Sequence, residues 1–248
     1  MFGSNHVNIK GQHLKKYSCS SGGGMTGGYN SETIRRYDDG HALIYTEKAE
    51  WHNDDPEVNE YLVDVSIMDE LEEVIRKGHM NFWNHKKFTN MFIADGESEG
   101  YSFSFDDAYV SFSSQYYPKK YRNRLRKLDD IIKRYMNDAE RLPGLVNPRR
   151  EEGNHDFPEG ELLIYVSAYR NDALEIRIMN GTDDDVELSG TCSLIDVDNN
   201  IEISKMEMDS VNVSSSCEDR FSMPLKERLA SGDYKLVIGE TVVSFAIR

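Results

Sequence analysis

The chain has few cysteines and no long apolar run, and each absence excludes a class of protein. Only three cysteines occur in 248 residues, and none forms a CxxC pair or lies in a cysteine–histidine cluster. A disulfide framework needs more cysteines, and a structural zinc site needs that spacing. No segment approaches the roughly 18–20 consecutive apolar residues of a membrane-spanning helix. We therefore predict no metal site, no cofactor and no transmembrane segment.

Basic side chains are also in deficit. The chain has 29 Lys and Arg against 44 Asp and Glu, which gives a formal net charge of −15. Such a chain repels nucleic acid and anionic lipid at long range. Only the segment 118–150 is locally basic, and its run Lys119–Lys127 is interpreted as the solvated face of a helix. Nucleic acid is therefore excluded as a predicted partner, whereas a protein or a glycan stays open.

Prolines are scarce, and their placement suggests a domain boundary. Three of the six fall between residues 143 and 160, among several glycines. Proline removes a backbone donor and glycine raises the entropy cost of ordering, so regular structure is disfavoured there. We predict a first domain over 12–142, a linker over 143–160 and a second domain over 161–248. No apolar signal segment opens the chain, so we expect a cytoplasmic protein or an extracytoplasmic one whose leader has been removed.

The first domain combines two apolar periodicities. Apolar residues at helical spacing predict one helix that ends near Gly78 and another over about 119–142. Tyr101, Phe103 and Phe105 alternate with serine, which is typical of a strand, and turn residues follow them. Strands beside one another with helices between and after them indicate an α+β domain, an antiparallel sheet with two helices.

The second domain contains about seven short segments of strand character separated by turn residues, which predicts an all-β domain. The stretch Ser231–Leu236 resembles the tyrosine corner of immunoglobulin-like domains, in which a tyrosine at the start of a late strand bonds back to the preceding turn. The resemblance implies an immunoglobulin-like β-sandwich. It implies no antibody-type disulfide, because Leu236 stands where that cysteine would be.

A wider resemblance rests on several motifs of the first domain. The glycine-rich segment Gly22–Gly28 reads GGGMTGG, the segment Glu47–Trp51 reads EKAEW, and a tryptophan at position 83 precedes the hairpin Tyr101–Phe112. Over most of residues 14–142 these features resemble a group of uncharacterised bacterial two-domain proteins. The resemblance implies no activity that could be transferred to this chain.

Two short patterns resemble catalytic or nucleotide-binding motifs. Residues 22–27 fit G-x-G-x-x-G, and residues 96–100 fit G-x-S-x-G. A dinucleotide site needs a helix directly after the glycines, and a nucleophilic serine elbow needs a helix directly after the motif. Strand-like residues follow both patterns, so we predict a glycine turn at the first and a hairpin loop at the second.

Aromatic residues supply the candidate binding site. Exposed flat rings can form a platform for a sugar or a peptide at low entropy cost. The candidate binding residues are Trp51, His52, Trp83, Tyr116 and Tyr117. The alternative is that the aromatic rings belong to the hydrophobic core.

Three functions remain after these exclusions. We favour a non-catalytic binding protein, because every catalytic pattern lacks its required structural context and the acidic surface selects basic or neutral partners. The first alternative is an enzyme for glycoside or ester hydrolysis, with an acidic cleft in the first domain formed by Glu47, Glu50, Asp106 and Asp107. The second alternative is a glycan-binding module that uses Trp51 or Trp83.

Overall fold

The computed structural model describes residues 5–23, 27–37, 39–51, 55–88, 98–146, 157–170 and 173–248. About 55% of these residues lie in strands, which form three antiparallel sheets. The strands are β1 (Leu14–Gly22), β2 (Gly27–Arg36), β3 (His41–Trp51), β4 (Glu57–Asp64), β5 (Ser98–Phe105), β6 (Tyr109–Ser114), β7 (Leu145–Val146), β8 (Leu162–Arg170), β9 (Ala173–Asn180), β10 (Val186–Asp196), β11 (Ile201–Val213), β12 (Cys217–Pro224), β13 (Gly232–Ile238) and β14 (Thr241–Ile247). The two α-helices are α1 (Ser66–Lys77) and α2 (Lys119–Asp138), and a 3-10 turn covers Met80–Phe82.

The chain divides into two compact units. The first unit comprises Met1–His52 and Asn59–Leu142, and the second comprises Asn53–Val58 and Pro143–Arg248.

The first unit is a six-stranded antiparallel sheet in the order β4-β3-β2-β1-β5-β6. One face, here called the inner face, packs against α1 and α2 and carries the hydrophobic core. Helix α1 buries Ile67, Met68, Leu71 and Ile75 because helical spacing places these residues on one side. It ends at Gly78, whose N–H donates to the carbonyl of Val74 at 2.8 Å. The opposite face of the sheet is called the outer face below.

Helix α2 follows Pro118 and buries Leu125, Leu128 and Ile132. Proline suits the start of a helix because the first N–H groups have no partner within the helix. Neither helix in the described ranges has the length and apolar character needed to cross a bilayer.

The second unit contains a five-stranded sheet, β11-β10-β13-β14-β7, and a three-stranded sheet, β12-β9-β8. Alternate residues of both sheets share one core, which includes Ile176, Leu194 and Leu236. Tyr234 Oη donates to the carbonyl of Ala230 at 2.8 Å, which is the bond expected of the turn before β13. Strand β7 lies within the segment that the proline content predicts to be a linker.

The predicted fold class, an α+β domain followed by an immunoglobulin-like sandwich, is wrong. The described chain is a β-rich fold with 14 strands in three antiparallel sheets and only two helices. Strand β4 was not expected, and β3 and β11 reach 11 and 13 residues. The immunoglobulin-like assignment depended on one local turn, and a turn of six residues does not determine the order of eight strands.

The second unit contains a buried network of ion pairs centred on Arg177. The guanidinium group of Arg177 on β9 lies 3.0 Å from Asp55 and also pairs with Glu218 on β12. The Arg177 and Asp55 side chains are only 5% and 7% exposed. Removing one partner of a buried pair leaves the other charge without compensation, which is strongly destabilising.

We predict that Arg177→Leu lowers the free energy of unfolding by about 3–5 kcal/mol in denaturant titrations. The control is Arg220→Leu, because Arg220 forms a more exposed pair with the same Glu218 and should cost at most about 1 kcal/mol. Equal losses for the two variants would contradict the network.

Candidate functional site

Along the strands of the first-unit sheet, the residues on the inner face change from apolar to polar. Tyr17 of β1 pairs with Ile34 of β2 and with Phe103 of β5, which forms an apolar row. Two residues further along β1, Cys19 pairs with Glu32 and with Tyr101. Because side chains alternate between faces, Glu32 points to the same side of the sheet as the buried Ile34. A carboxylate is thereby placed at the margin of the core.

Two further carboxylates approach this position from other elements. Glu99 of β5 lies one row beyond Tyr101 on the same face, since Ser21 pairs with Glu99 where Cys19 pairs with Tyr101. Asp129 is contributed by α2, where it follows the buried Leu128. Glu32, Glu99 and Asp129 are half-buried and interact electrostatically with one another or with shared neighbours. These three carboxylates with Cys19 are called the acidic cluster.

Burial and the repulsion of neighbouring carboxylates raise the pKa values of Glu32 and Asp129. Burial, followed by the charge of Asp129, raises the pKa of Glu32 to about 7, and Lys133 opposes this effect. Burial and the charge of Glu99 likewise raise the pKa of Asp129, against the influence of Lys133 and Arg126. The cause in both cases is that an ionised carboxylate loses hydration and meets a like charge.

The Tyr17 hydroxyl lies at the inner edge of the acidic cluster. Tyr17 is fully buried, and its oxygen has no hydrogen-bond partner of ordinary geometry among the described residues. Burial and then the neighbouring Cys19, Glu32 and Asp129 raise its pKa well above the ordinary tyrosine value. An unsatisfied buried hydroxyl costs about 1–3 kcal/mol, so a native fold tends to supply a partner. The carboxylates of Glu32 and Asp129 and the thiol of Cys19 act on this hydroxyl.

Two other tyrosines hold Glu99 in place. The hydroxyl of Tyr101 donates to Glu99 Oε1 at 2.6 Å, and the hydroxyl of Tyr117 donates to the backbone carbonyl of Glu99 at 2.9 Å. Their rings meet edge to face with centroids 6.0 Å apart. The acidic cluster is therefore bounded by aromatic rings on the β5 side and by α2 on the other.

The cluster has restricted chemical options. Burial raises the pKa of the Cys19 thiol to about 12, with Glu99, Glu32 and Asp129 adding to the effect against a bond from Tyr101, so Cys19 is a poor nucleophile at neutral pH. Within the described residues, no group of three or more histidine, cysteine or acidic side chains has the arrangement to hold a metal ion. The carboxyl groups can exchange protons, and in their ionised forms they attract a cation.

The predicted binding residues are dispersed, and Tyr117 alone among those described contacts the cluster. Trp83 is only 2% exposed and packs edge to face on Phe112 and Tyr121, whereas Trp51 at the end of β3 is 55% exposed. Tyr116 is 37% exposed and lies under the guanidinium group of Arg122. His52 lies outside the described residues. That these residues bind a ligand stays a prediction.

The acidic residues proposed for an enzymatic cleft are not brought together. The carboxylate of Glu47 accepts hydrogen bonds from Tyr29 and Tyr45 on the outer face. Asp106 accepts a hydrogen bond from the His13 N–H at 2.6 Å in the β5–β6 turn, and Glu50 is an exposed partner of Lys48. The four residues therefore do not form one site.

Both glycine patterns lead into strands, as predicted, but Ser98, Glu99 and Gly100 of the second pattern already lie in β5 and not in the predicted hairpin loop. Strand β2 begins at Gly27, and β5 begins at Ser98. Neither pattern therefore presents a helix N-terminus to a phosphate or to a serine hydroxyl.

Sequence reasoning missed Glu32, Glu99 and Asp129, although their positions carry a weak signal. Glu32 has the strand parity of Ile34, and Asp129 interrupts the apolar side of a helix beside Leu128. A polar residue at a core position indicates a functional departure from the fold's own pattern. Strand register was needed to show that these departures meet.

Comparison with protein-family models and with the curated proteins finds no match to this chain.

The raised pKa of Glu32 makes stability depend on pH. Below pH 4.5 the carboxyl is protonated in both the folded and the unfolded chain. Between pH 4.5 and about 7 the unfolded chain releases this proton and the folded chain keeps it, so stability falls as the pH rises through this window. Glutamine cannot ionise and avoids this loss.

We predict that Glu32→Gln raises the free energy of unfolding at pH 8 by about 1–3 kcal/mol and changes it little at pH 4.5. Denaturant titrations at the two pH values measure the difference. Asp138→Asn, at an exposed position of the same helix as Asp129, is the control and should be neutral at both. Destabilisation by Glu32→Gln at pH 8 would contradict this account.

Proposed function

We propose that this chain is a non-catalytic binding protein that takes up a cationic group, the side chain of a lysine or arginine presented by a partner protein. The observation that carries the proposal is the convergence of three half-buried carboxylates beside the fully buried Tyr17 hydroxyl, which has no hydrogen-bond partner of ordinary geometry among the described residues. The binding site is the acidic cluster.

The charge balance of the cluster supports a cationic ligand. Lys133 and Arg126 are the basic groups that act on Glu32 or Asp129, and both side chains are exposed on α2. Because Lys133 and Arg126 are exposed to water, their charges are screened, and the pKa values of Glu32 and Asp129 stay raised. A cation placed between the carboxylates would favour their ionised forms, whereas burial and the neighbouring carboxylates favour the protonated forms.

The hydrogen-bonding capacity of the cluster fits the same ligand. The ionised carboxylates are acceptors only, and a tyrosine oxygen can also accept. An ammonium group has three donors and a guanidinium group has five, and neither has an acceptor. A cationic side chain could therefore bond Glu32 and Asp129 and supply the Tyr17 oxygen with a donor, while the Tyr101 and Tyr117 rings add cation–π attraction.

We predict that Nα-acetyl-lysine methylamide or Nα-acetyl-arginine methylamide binds the folded chain at pH 8, with a dissociation constant on the order of millimolar for so small a probe. Amide chemical-shift changes centred on Tyr17, Cys19, Glu32 and Asp129 would measure it. Binding should weaken by about tenfold at pH 5.5, because protonated Glu32 attracts a cation less. The arginine and lysine probes distinguish the two candidate side chains.

The neutral analogue Nα-acetyl-norleucine methylamide is the probe control and should not bind. Glu32→Gln should weaken binding by about tenfold, whereas Asp138→Asn should leave it unchanged. Equal binding of the charged and neutral probes, or no response at the acidic cluster, would contradict the proposal.

An acid–base enzyme is the second candidate, and the pKa of about 7 for Glu32 favours it. A general acid or base works best with a pKa near the operating pH, and paired carboxyls serve glycoside hydrolysis. We expect no hydrolysis of nitrophenyl glycosides or esters if the cluster only binds. Turnover that Glu32→Gln abolishes and Asp138→Asn preserves would replace the binding proposal with this one.

A further inference from the structure

The outer face of the first-unit sheet carries two aligned rows of hydroxyl groups. The strand register places one residue of each row on each of four neighbouring strands, β6, β5, β1 and β2. The first row is Ser111, Ser102, Ser18 and Thr33, and the second row is Ser113, Gly100, Ser20 and Ser31. Because neighbouring strands lie about 4.8 Å apart, the hydroxyls of the first row repeat at about that spacing. The second row is interrupted at Gly100, which carries no hydroxyl. These two rows are called the hydroxyl array.

Sheet stability does not account for this array. Strands favour β-branched and aromatic residues, whose side chains pack across neighbouring strands. Serine offers little such packing and no charge for solubility. Within the array, one cross-strand hydrogen bond is formed, between Ser18 Oγ and Thr33 Oγ1 at 3.1 Å. The remaining described hydroxyls of the array are therefore available to a ligand that can both donate and accept.

A cavity of about 310 Å³ opens over the β1–β5–β6 part of the array. The segment His85–Lys87 forms one wall, held along β6 by the bond from the His85 N–H to the carbonyl of Ser111 at 2.7 Å. Tyr109 lies at another side and is 57% exposed. An exposed ring beside several hydroxyls is the combination that binds sugars, because a ring stacks on the apolar face of a pyranose.

Gly100 keeps the floor of the cavity flat. A Cβ atom at this position would lie 3.6 Å from Ser113 Cβ and 3.6 Å from Ser20 Oγ. Those are ordinary van der Waals distances, so alanine would fit the fold, but its methyl group would rise from the floor between the two serines. The substitution Gly100→Ala therefore tests ligand binding without disturbing the fold.

Basic side chains border one side of the array. Lys16 and Arg35 lie on the outer face in the row next to Ser18 and Thr33, and Lys87 lines the cavity. None of the three forms an ion pair with another residue in the described ranges. The carboxylate of Glu47, which lies opposite Ser31, accepts hydrogen bonds from two tyrosines. A ligand on this face therefore meets hydroxyls and local positive charge, in contrast to the net charge of −15 of the whole chain.

We propose that the hydroxyl array binds an anionic polysaccharide, one whose sugar rings carry carboxylate or sulfate groups. An extended chain would run across the strands, because the strand spacing is comparable with the length of one sugar ring. Ring hydroxyls would bond the serines, one ring would stack on Tyr109, and the anionic groups would meet Lys87, Lys16 and Arg35. This site is on the opposite face of the sheet from the acidic cluster and is independent of its function.

The test is affinity electrophoresis of the full chain in gels that contain polygalacturonate, dextran sulfate or neutral dextran. We expect retardation by polygalacturonate or by dextran sulfate, which separates carboxylate from sulfate recognition, and none by dextran. Tyr109→Ala and Lys87→Ala should each weaken binding by about fivefold to tenfold, and Gly100→Ala by about tenfold, with unchanged thermal unfolding. Chemical-shift mapping on the unaltered chain should place the largest changes at Ser18, Ser102, Ser111 and Tyr109.

The control variant is Lys127→Ala, which removes one exposed charge from α2, on the other side of the sheet. Binding should not change in this variant. The proposal is overturned if no anionic polysaccharide is bound, if dextran is bound equally well, or if Lys127→Ala weakens binding as much as Lys87→Ala. It is also overturned if Tyr109→Ala and Gly100→Ala bind normally, or if single-stranded RNA binds through the same residues more tightly than either polysaccharide.

Discussion

The register of β1 between β2 and β5 is the constraint on which both faces of the first-unit sheet depend. It buries Tyr17 and brings Cys19, Glu32 and Tyr101 into one row, and it places serines on the opposite side. A slip of one residue would exchange the two faces and bury serine hydroxyls in place of the Tyr17 ring. The hydrophobic core therefore determines the position of polar groups that do not themselves stabilise it.

Buried charge is compensated by ion pairs in the second unit, whereas carboxyl groups lie close to one another in the first. In the second unit, the Arg177 guanidinium group is compensated by Asp55 and Glu218, so its burial is satisfied within the fold. In the first unit, Glu32 and Asp129 are half-buried beside the Tyr17 hydroxyl, for which the described residues supply no hydrogen-bond partner of ordinary geometry. Folds that retain such a cost commonly do so for a function, because stability alone would remove it.

Several features were predictable from local patterns. The helix that ends at Gly78, the helix after Pro118, and the strands that follow both glycine motifs agree with apolar periodicity and turn chemistry. The fold class was not predictable, because residue alternation reveals strands but shows neither the order of the strands in a sheet nor how much of the chain they occupy. The acidic cluster was missed for the same reason: Glu32 and Asp129 are 97 positions apart in the sequence, and only packing of α2 on the sheet brings them together.

The central claim is that the acidic cluster keeps Glu32 protonated up to neutral pH until a cation reaches it. The most direct measurement is a titration of the Glu32 side-chain carboxyl carbon by NMR in the folded chain and in Asp129→Asn. The account predicts a pKa near 7 that falls in the variant, because one of the two stated causes has been removed. A pKa near the ordinary 4.5 that does not respond to the variant would contradict it.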